Sequence, residues 1–331
     1  MIIQIEDFIA GWIAGICGLI VGHPLDTIKV RQQAYGSSLR TAIGRTYRHE
    51  GFRGYFKGML FPLLTVGPSN ALMFGVFGTT LAYLQPTPSG HPKHSSFHKD
   101  AGKTNIFLAG VVGGTAQTIF ICPVEVVKTV LQARTEGKGS WRKHYEVPYR
   151  GTFDALRGIV RDIGFTGLFR GLAPLMIRDI PTSGLYVLTY DMLMYSKFQS
   201  YDIPHFAREI FAGGSAGHYT MPEFSHHVAS LVNHLGMFLI GFVNSTNVSF
   251  LGIASWLFVM PVDVVKTRIQ SDDPRHPYYN GIIDCFKKSY KMDGFSIFFR
   301  GAPATLMRTF PVNAAIFVTY QKVLSWFEVH Y

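Results

Sequence analysis

The chain is 331 residues long, 47% apolar and only 16% charged, with 31 Lys and Arg against 21 Asp and Glu for a formal charge of +10. Its mean hydropathy of +0.17 is mildly high for a soluble protein and low for a bundle whose helices face lipid on every side. Helices wet on one side and lipid-facing on the other give such a value, and so does an apolar-rich soluble enzyme; composition leaves the two nearly even, although the length alone would suggest two or three domains.

The N-terminal segment Met1-Ile2-Ile3-Gln4-Ile5-Glu6-Asp7 is acidic. It has neither the basic start of a signal peptide nor the Arg/Ser-rich amphipathic character of a transit peptide, so targeting information is expected to be internal. Residues 8–30 then read as an apolar helix carrying Gly11, Gly15 and Gly18, a small-residue spacing that lets helix backbones approach closely in lipid. The helix runs into Pro24-Leu25-Asp26-Thr27-Ile28-Lys29, with Gln33 four residues beyond the lysine. A proline there removes one backbone hydrogen bond and kinks the helix, placing the acid and the lysine just past the kink. A polar, basic segment follows, with an amphipathic stretch at 39–49, then Glu50-Gly51 leading to Phe56-Lys57-Gly58, then a second apolar helix at 61–84.

The same order returns twice. Gly110 and Gly114 precede Pro123-Val124-Glu125-Val126-Val127-Lys128 and Gln132; an amphipathic stretch at 152–161 and Ile163-Gly164 lead to Phe169-Arg170-Gly171 and an apolar helix at 172–195. Gly213 and Gly217 precede Pro261-Val262-Asp263-Val264-Val265-Lys266 and Gln270; a stretch at 282–291 and Asp293-Gly294 lead to Phe299-Arg300-Gly301 and a helix at 302–327. One such match would be noise. Three in matching contexts make the chain an internal triplicate, with repeats over 1–85, 103–198 and 207–328. The pattern predicts an all-α membrane protein of six spans, both termini on one side.

Charge supports that topology. Stretches 29–57, 128–170 and 266–300 hold 7, 9 and 7 of the 31 lysines and arginines, whereas 91–103 and 197–208 hold few. One-sided bias between apolar segments marks a membrane protein of fixed orientation and argues against a nucleic-acid binder. The three cysteines, Cys17, Cys122 and Cys285, lack metal-ligand spacing and read as inert packing thiols. No nucleophile–base set or phosphate-binding glycine loop appears, which argues against an enzyme; no cofactor and no metal are expected.

The third repeat departs from the others. Thirteen residues separate Gly11 from Pro24, and Gly110 from Pro123, but 48 separate Gly213 from Pro261, so 35 extra residues, 218–252, interrupt the fifth helix. They hold His218, His226, His227 and His234 and two sequons, Asn244 and Asn247. Removing them restores the register, so the segment reads best as a retained intron or gene-model product; a real insertion must loop out or split the helix, and transport is then lost.

Three copies of Pro-x-Asp/Glu-x-x-Lys, each followed by an acid-Gly or its remnant and an aromatic-basic-Gly turn, resemble the mitochondrial carrier family over nearly the whole chain. The resemblance implies six tilted helices with three-fold pseudosymmetry, short matrix-side amphipathic helices, and a monomer in the mitochondrial inner membrane. It implies termini toward the intermembrane space, and transport of one small metabolite at a time by alternating access. It further implies a matrix gate of ion pairs Asp26–Lys128, Glu125–Lys266 and Asp263–Lys29, braced by Gln33, Gln132 and Gln270. Wet ion pairs are worth at most about 1 kcal/mol each, so substrate binding would suffice to open them.

Arg31 and Arg268, two residues past their lysines, are expected to pair with Glu50 and Asp293; the middle repeat has Val130 and Ile163 instead and loses both partners together. The equivalents of the opposite gate, Phe77-Gly78, Tyr190-Asp191 and Tyr320-Gln321, hold one charge, so that side should close by apolar and hydrogen-bonded contacts. Aligned on Pro68, Pro181 and Pro311, the substrate positions are Thr65-Val66, Arg178-Asp179 and Arg308-Thr309. Charges in apolar helices are functional by default, although Arg178 and Asp179 also fit a structural pair. Two arginines suit a carboxylate and Asp179 an ammonium. Arg178-Asp179 before Pro181, and Arg308, Pro311 and Asn313, are similar to the branch carrying carnitine, acylcarnitines and basic amino acids. The turns at Gly58, Gly171 and Gly301 begin helices, where free N–H groups would hold cardiolipin phosphate.

Overall fold

A computed structural model describes residues 5–84, 102–134, 149, 151–192, 259–273 and 275–330. Side chains of Tyr190, Asp191, Thr309, Tyr320 and Gln321, the 218–252 segment with its histidines and sequons, and Gly213 and Gly217 lie outside the described residues. Among the described residues the regular elements are all helical. They are α1 (Ile5–Tyr35), α2 (Leu39–Glu50), α3 (Leu60–Leu84), α4 (Lys103–Ala133), α5 (Thr152–Ile163), α6 (Leu172–Met192), α7 (259–271), α8 (Ile282–Asp293) and α9 (Ala302–His330). At 1.5 Å per residue, the 31 residues of α1 reach about 46 Å, enough to cross a hydrocarbon core of about 30 Å with tilt. Trp12–Tyr35, Phe52–Leu84 and Lys103–Ala133 are long and apolar enough to span a membrane. Helices α6 and α9, of 21 and 29 residues, also carry Arg178, Asp179 and Arg308.

The helices stay continuous across Pro24, Pro68, Pro123, Pro181 and Pro311. Helix α1 packs most extensively on α9, and α4 on both α3 and α6, so the first and last spans meet. Small residues make those seams. A Cβ on Gly113 would lie 2.8 Å from the Met73 carbonyl of α3, and one on Gly110 would lie 3.0 Å from Gly184 Cα of α6. Gly15, by contrast, meets none of the described residues within 4 Å. Trp12, Leu64, Phe74, Ile119, Ile177 and Met307 are exposed on the long helices, an outward apolar surface that suits lipid.

At the basic end each long odd-numbered span is followed by a short amphipathic helix (α2, α5 or α8) and a five-residue 3-10 turn, Phe52–Phe56, Phe165–Phe169 or Phe295–Phe299. The sequence pattern located these three short helices within two residues and missed the 3-10 turns. Arginines then tie one repeat to the next. Arg31 of α1 is buried: it donates to both Glu50 carboxylate oxygens (3.0 and 2.7 Å), to Thr46 Oγ1 (2.6 Å), and to the Gln132 and Arg134 carbonyls (3.0 Å each) at the end of α4. Arg268 of α7 donates to Asp293 (3.1 Å) and to the Gln33 carbonyl of α1 (3.0 Å). Such carbonyls are the orphan acceptors of a helix C-terminus.

Val130 cannot make this tie from α4. Arg170, from the turn before α6, takes the place: it donates to Asp272 Oδ2 at 2.7 Å and to the Asp272 carbonyl at 3.3 Å, just past α7. Asp272 Oδ2 also accepts the Tyr278 and Tyr279 N–H groups at 2.8 and 3.1 Å. Burial pushes the Asp272 carboxyl up from its ordinary value, against these partners that favour the ion. The middle repeat therefore rebuilt its cross-link with a different pair. Arg170→Ala should lower stability by about 1–3 kcal/mol, read as a lower midpoint in a detergent thermal melt. Adding Val130→Arg with Ile163→Glu, the pairing used in the other repeats, should recover part of the loss; a melt unmoved by Arg170→Ala would overturn the assignment.

Candidate functional site

The prolines put an acid, and three residues later a lysine, on the inner face near the basic ends of α1, α4 and α7. Lys128 Nζ lies 2.9 Å from Asp26 Oδ2, Lys29 Nζ lies 3.1 Å from Asp263 Oδ2, and Lys266 Nζ contacts Glu125 Oε2. All six charged residues of the expected gate thus meet in a cyclic ring, α4 to α1, α1 to α7 and α7 to α4. The pairs are drier than wet surface bridges: the side chains of Asp26 and Asp263 are 10% and 8% exposed, and Glu125 is 27% exposed. Separating such charges without replacement leaves buried, uncompensated ions, a cost of several kcal/mol rather than the small cost expected from the sequence.

Each lysine is followed at i+4 by a glutamine on the same helix face. Gln33 alone donates to a ring acid, Asp263 Oδ2, at 3.0 Å. The other two correct the bracing expectation. Gln132 donates to Thr27 Oγ1 (3.1 Å), and Gln270 accepts from Thr129 Oγ1 (3.2 Å); Gln33 likewise accepts from Thr267 Oγ1 at 2.7 Å. The glutamines therefore form a second, neutral cycle beneath the ions. Thr129 and Thr267, each directly after its lysine, were the overlooked signal. Gly58, Gly171 and Gly301 adopt φ of 77°, 79° and 97°, the left-handed region that favours glycine. Their bare Cα atoms also face this layer. An added Cβ would sit 3.0 Å from the Lys128 carbonyl, 2.8 Å from Gln270 Cγ and 3.1 Å from Gln33 Cγ.

Above the ring lies a cavity of about 290 Å³ whose lining includes the six ring residues, two of the three glutamines, Gln33 and Gln132, and Arg178, Asp179 and Arg308. The arginines are engaged with the ring itself. Arg178 donates to Asp263 Oδ1 at 2.6 Å and forks onto Asp179 at 2.5 and 3.2 Å. Arg308 Nε lies 3.0 Å from Asp26 Oδ1. Sequence reasoning placed these residues at a substrate site and did not foresee that they share the gate's acids. Thr65 and Val66 do not line the cavity; Thr65 Oγ1 donates to the Phe61 carbonyl of its own helix at 2.8 Å. Phe77, expected at the opposite gate, is buried beside Met73, Leu81 and Ile106.

The profile of the family described as mitochondrial carrier protein matches this chain three times, over residues 4–87, 100–200 and 246–331. Mouse solute carrier family 25 member 45 is 35% identical, covering 97% of this chain and 98% of its own length. The rat mitochondrial basic amino acids transporter is 34% identical over 97% of this chain and 89% of its own length. Human solute carrier family 25 member 48 is 33% identical over 97% and 95%. Three matched segments, a cyclic set of ion pairs between repeats and relatives aligned almost end to end lead to one conclusion: the chain belongs to the mitochondrial carrier family, multi-pass solute transporters of the mitochondrial inner membrane and not enzymes.

Proposed function

We propose that this carrier moves a small zwitterionic or cationic metabolite with a carboxylate, of the carnitine/acylcarnitine or basic amino acid kind, by alternating access. The observation that carries the reading is the sharing of Asp263 and Asp26 between gate lysines and the cavity arginines Arg178 and Arg308. A substrate carboxylate that engages the two guanidiniums takes them from the ring acids. Binding then replaces charge at the moment the gate loosens, which a ring of buried ions requires. Asp179, forked by Arg178, becomes free to accept an ammonium. With every group ionised, the cavity holds Asp26, Glu125, Asp179 and Asp263 against Lys29, Lys128, Lys266, Arg178 and Arg308, one positive charge in excess, which favours a ligand with a carboxylate. The similarity to the rat mitochondrial basic amino acids transporter is consistent with the basic amino acid branch.

In this reading the repeats span 1–85, 103–198 and 207–328, and the chain works as a monomer with both termini toward the intermembrane space and the ion-pair ring toward the matrix. Cardiolipin headgroups seat at the helix starts after Gly58, Gly171 and Gly301, and Thr309 joins the substrate groups.

Uptake by the reconstituted full chain tests this. Lysine, arginine, carnitine or their analogues should be transported, and Arg178→Ala or Arg308→Ala should each reduce uptake about ten- to a hundredfold. Transport of dicarboxylates or nucleotides, with none of the former, would sink the reading. A second reading, a product disabled by its insertion, draws on the interruption of the fifth helix at 218–252, a segment that overlaps the stretch left unmatched between 200 and 246. Deleting 218–252 should raise uptake by the reconstituted protein if that reading holds; equal uptake with and without the segment rejects it.

A further inference from the structure

Helix α9 packs on α1 as a ridge in a groove. Arg308, Val312 and Ile316, four residues apart, line up along α9, and Gly18, Gly22 and Asp26, also four apart, line up along α1. The contacts follow that register. A Cβ on Gly18 would lie 2.4 Å from Ile316 Cγ1 and 3.5 Å from Val312 Cγ1. A Cβ on Gly22 would lie 2.7 Å from Val312 Cγ2, 2.7 Å from Arg308 Nε and 3.4 Å from Arg308 Nη2. The same Nε lies 3.0 Å from Asp26 Oδ1, one turn further along α1. The guanidinium therefore rests on a bare Cα and reaches the ring acid beyond it. Gly22 is buried, and a glycine inside a helix is less favourable than an alanine. The helix itself does not call for it; the side chains against it do.

The other two ring acids lack this seat. Four residues before Glu125 stands Ile121, and four before Asp263 stands Val259. Ile121 packs on the apolar cluster that holds Val126 and Leu168. Arg178 reaches Asp263 of α7 from α6, a helix packed on α4, whereas Arg308 reaches Asp26 along the seam of its own two helices. Resting on the proposed substrate with a carboxylate, we infer that Gly22 is a positioning residue for transport: its bare Cα is the floor that sets the Arg308 guanidinium on Asp26, where a substrate carboxylate collects it. Gly22 acts through Arg308. A Cβ at position 22 lifts the guanidinium out of the groove and away from the acid. The closed ring then loses that contact, and an incoming carboxylate no longer meets the guanidinium in its fork orientation. Gly18 lies one turn away in the same groove, and the three atoms nearest to a Cβ there are all apolar. It packs the seam without positioning a charge.

The test compares Gly22→Ala with Gly18→Ala in the full chain, each alone and combined with Arg308→Ala. Thermal melts in detergent need no substrate. Gly22→Ala should lower the midpoint of the otherwise unchanged protein by more than it lowers that of the Arg308→Ala protein, whereas Gly18→Ala should shift both equally. Equal shifts for Gly22→Ala in the two backgrounds overturn the seat. Uptake into vesicles of phosphatidylcholine and cardiolipin reads the positioning. For those of lysine, arginine and carnitine that the wild type takes up, KM should rise about tenfold in Gly22→Ala and stay within about twofold in Gly18→Ala. A glycine needed only for packing lowers the amount of active carrier, hence the maximal rate, and leaves KM alone. A KM unmoved by Gly22→Ala therefore overturns the positioning role. If Gly22→Ala does not fold, Gly22→Ala with Val312→Ala removes the apolar half of the clash, and the same expectations hold against Val312→Ala alone. Wild-type protein that takes up none of the three probes overturns the substrate reading beneath, while the melts still decide the seat.

Discussion

Three carboxylates sit where the membrane-spanning helices converge, and two of them are about nine-tenths removed from solvent. A buried ion without a partner is too costly to keep, and this requirement organises the basic end of the molecule. Each acid draws a lysine from a neighbouring repeat, so no repeat can satisfy its own charges. The layer beneath repeats the rule with neutral groups, glutamine to threonine across the same seams. A third layer does so with arginines on helix-end carbonyls. The ring is cyclic at every level because each repeat's motif satisfies its neighbour.

That arrangement suits a gate. A closed ring of partly desolvated ions resists opening by thermal motion alone, yet it opens when a ligand supplies replacement charge of the right sign and place. The cavity arginines contact the ring acids directly, so in the proposed reading one set of carboxylates serves both the closed gate and the resting substrate site. In that reading substrate and gate compete for the same groups, and transport follows from the competition rather than from a relay across the protein.

The departures from three-fold symmetry carry most of the individuality. Arg170 on Asp272 replaces the missing arginine and acid of the middle repeat and keeps the cross-link closed. At the position where α6 and α9 carry Arg178 and Arg308, α3 carries Thr65, whose hydroxyl is turned onto its own helix. The first departure preserves structure, since a helix end and a buried carboxyl would otherwise lose their donors. The second leaves α3 without the guanidinium that α6 and α9 each send to a ring acid.

Repetition made much of this legible. Asp26, Lys29, Gln33 and their counterparts recur at fixed spacing, so the number of repeats and the helical class followed from the motif, and the partners in the ion ring and the pairing of Arg31 with Glu50 were implied by the family it resembles. The rest depended on distances between helices. No spacing along the chain says that Arg178 reaches Asp263, 85 residues away, that Gln132 finds Thr27 rather than an acid, or that Arg170 spans 102 residues to Asp272. Nor does it say that Gly58, Gly171 and Gly301 are bare because the neighbouring helix passes against them. Sequence alone determined which residues must be paired, because charge in an apolar helix demands a partner. Only the tertiary structure decided which partner each one has, because pairing between helices depends on the rotation and closeness of spans that packing sets.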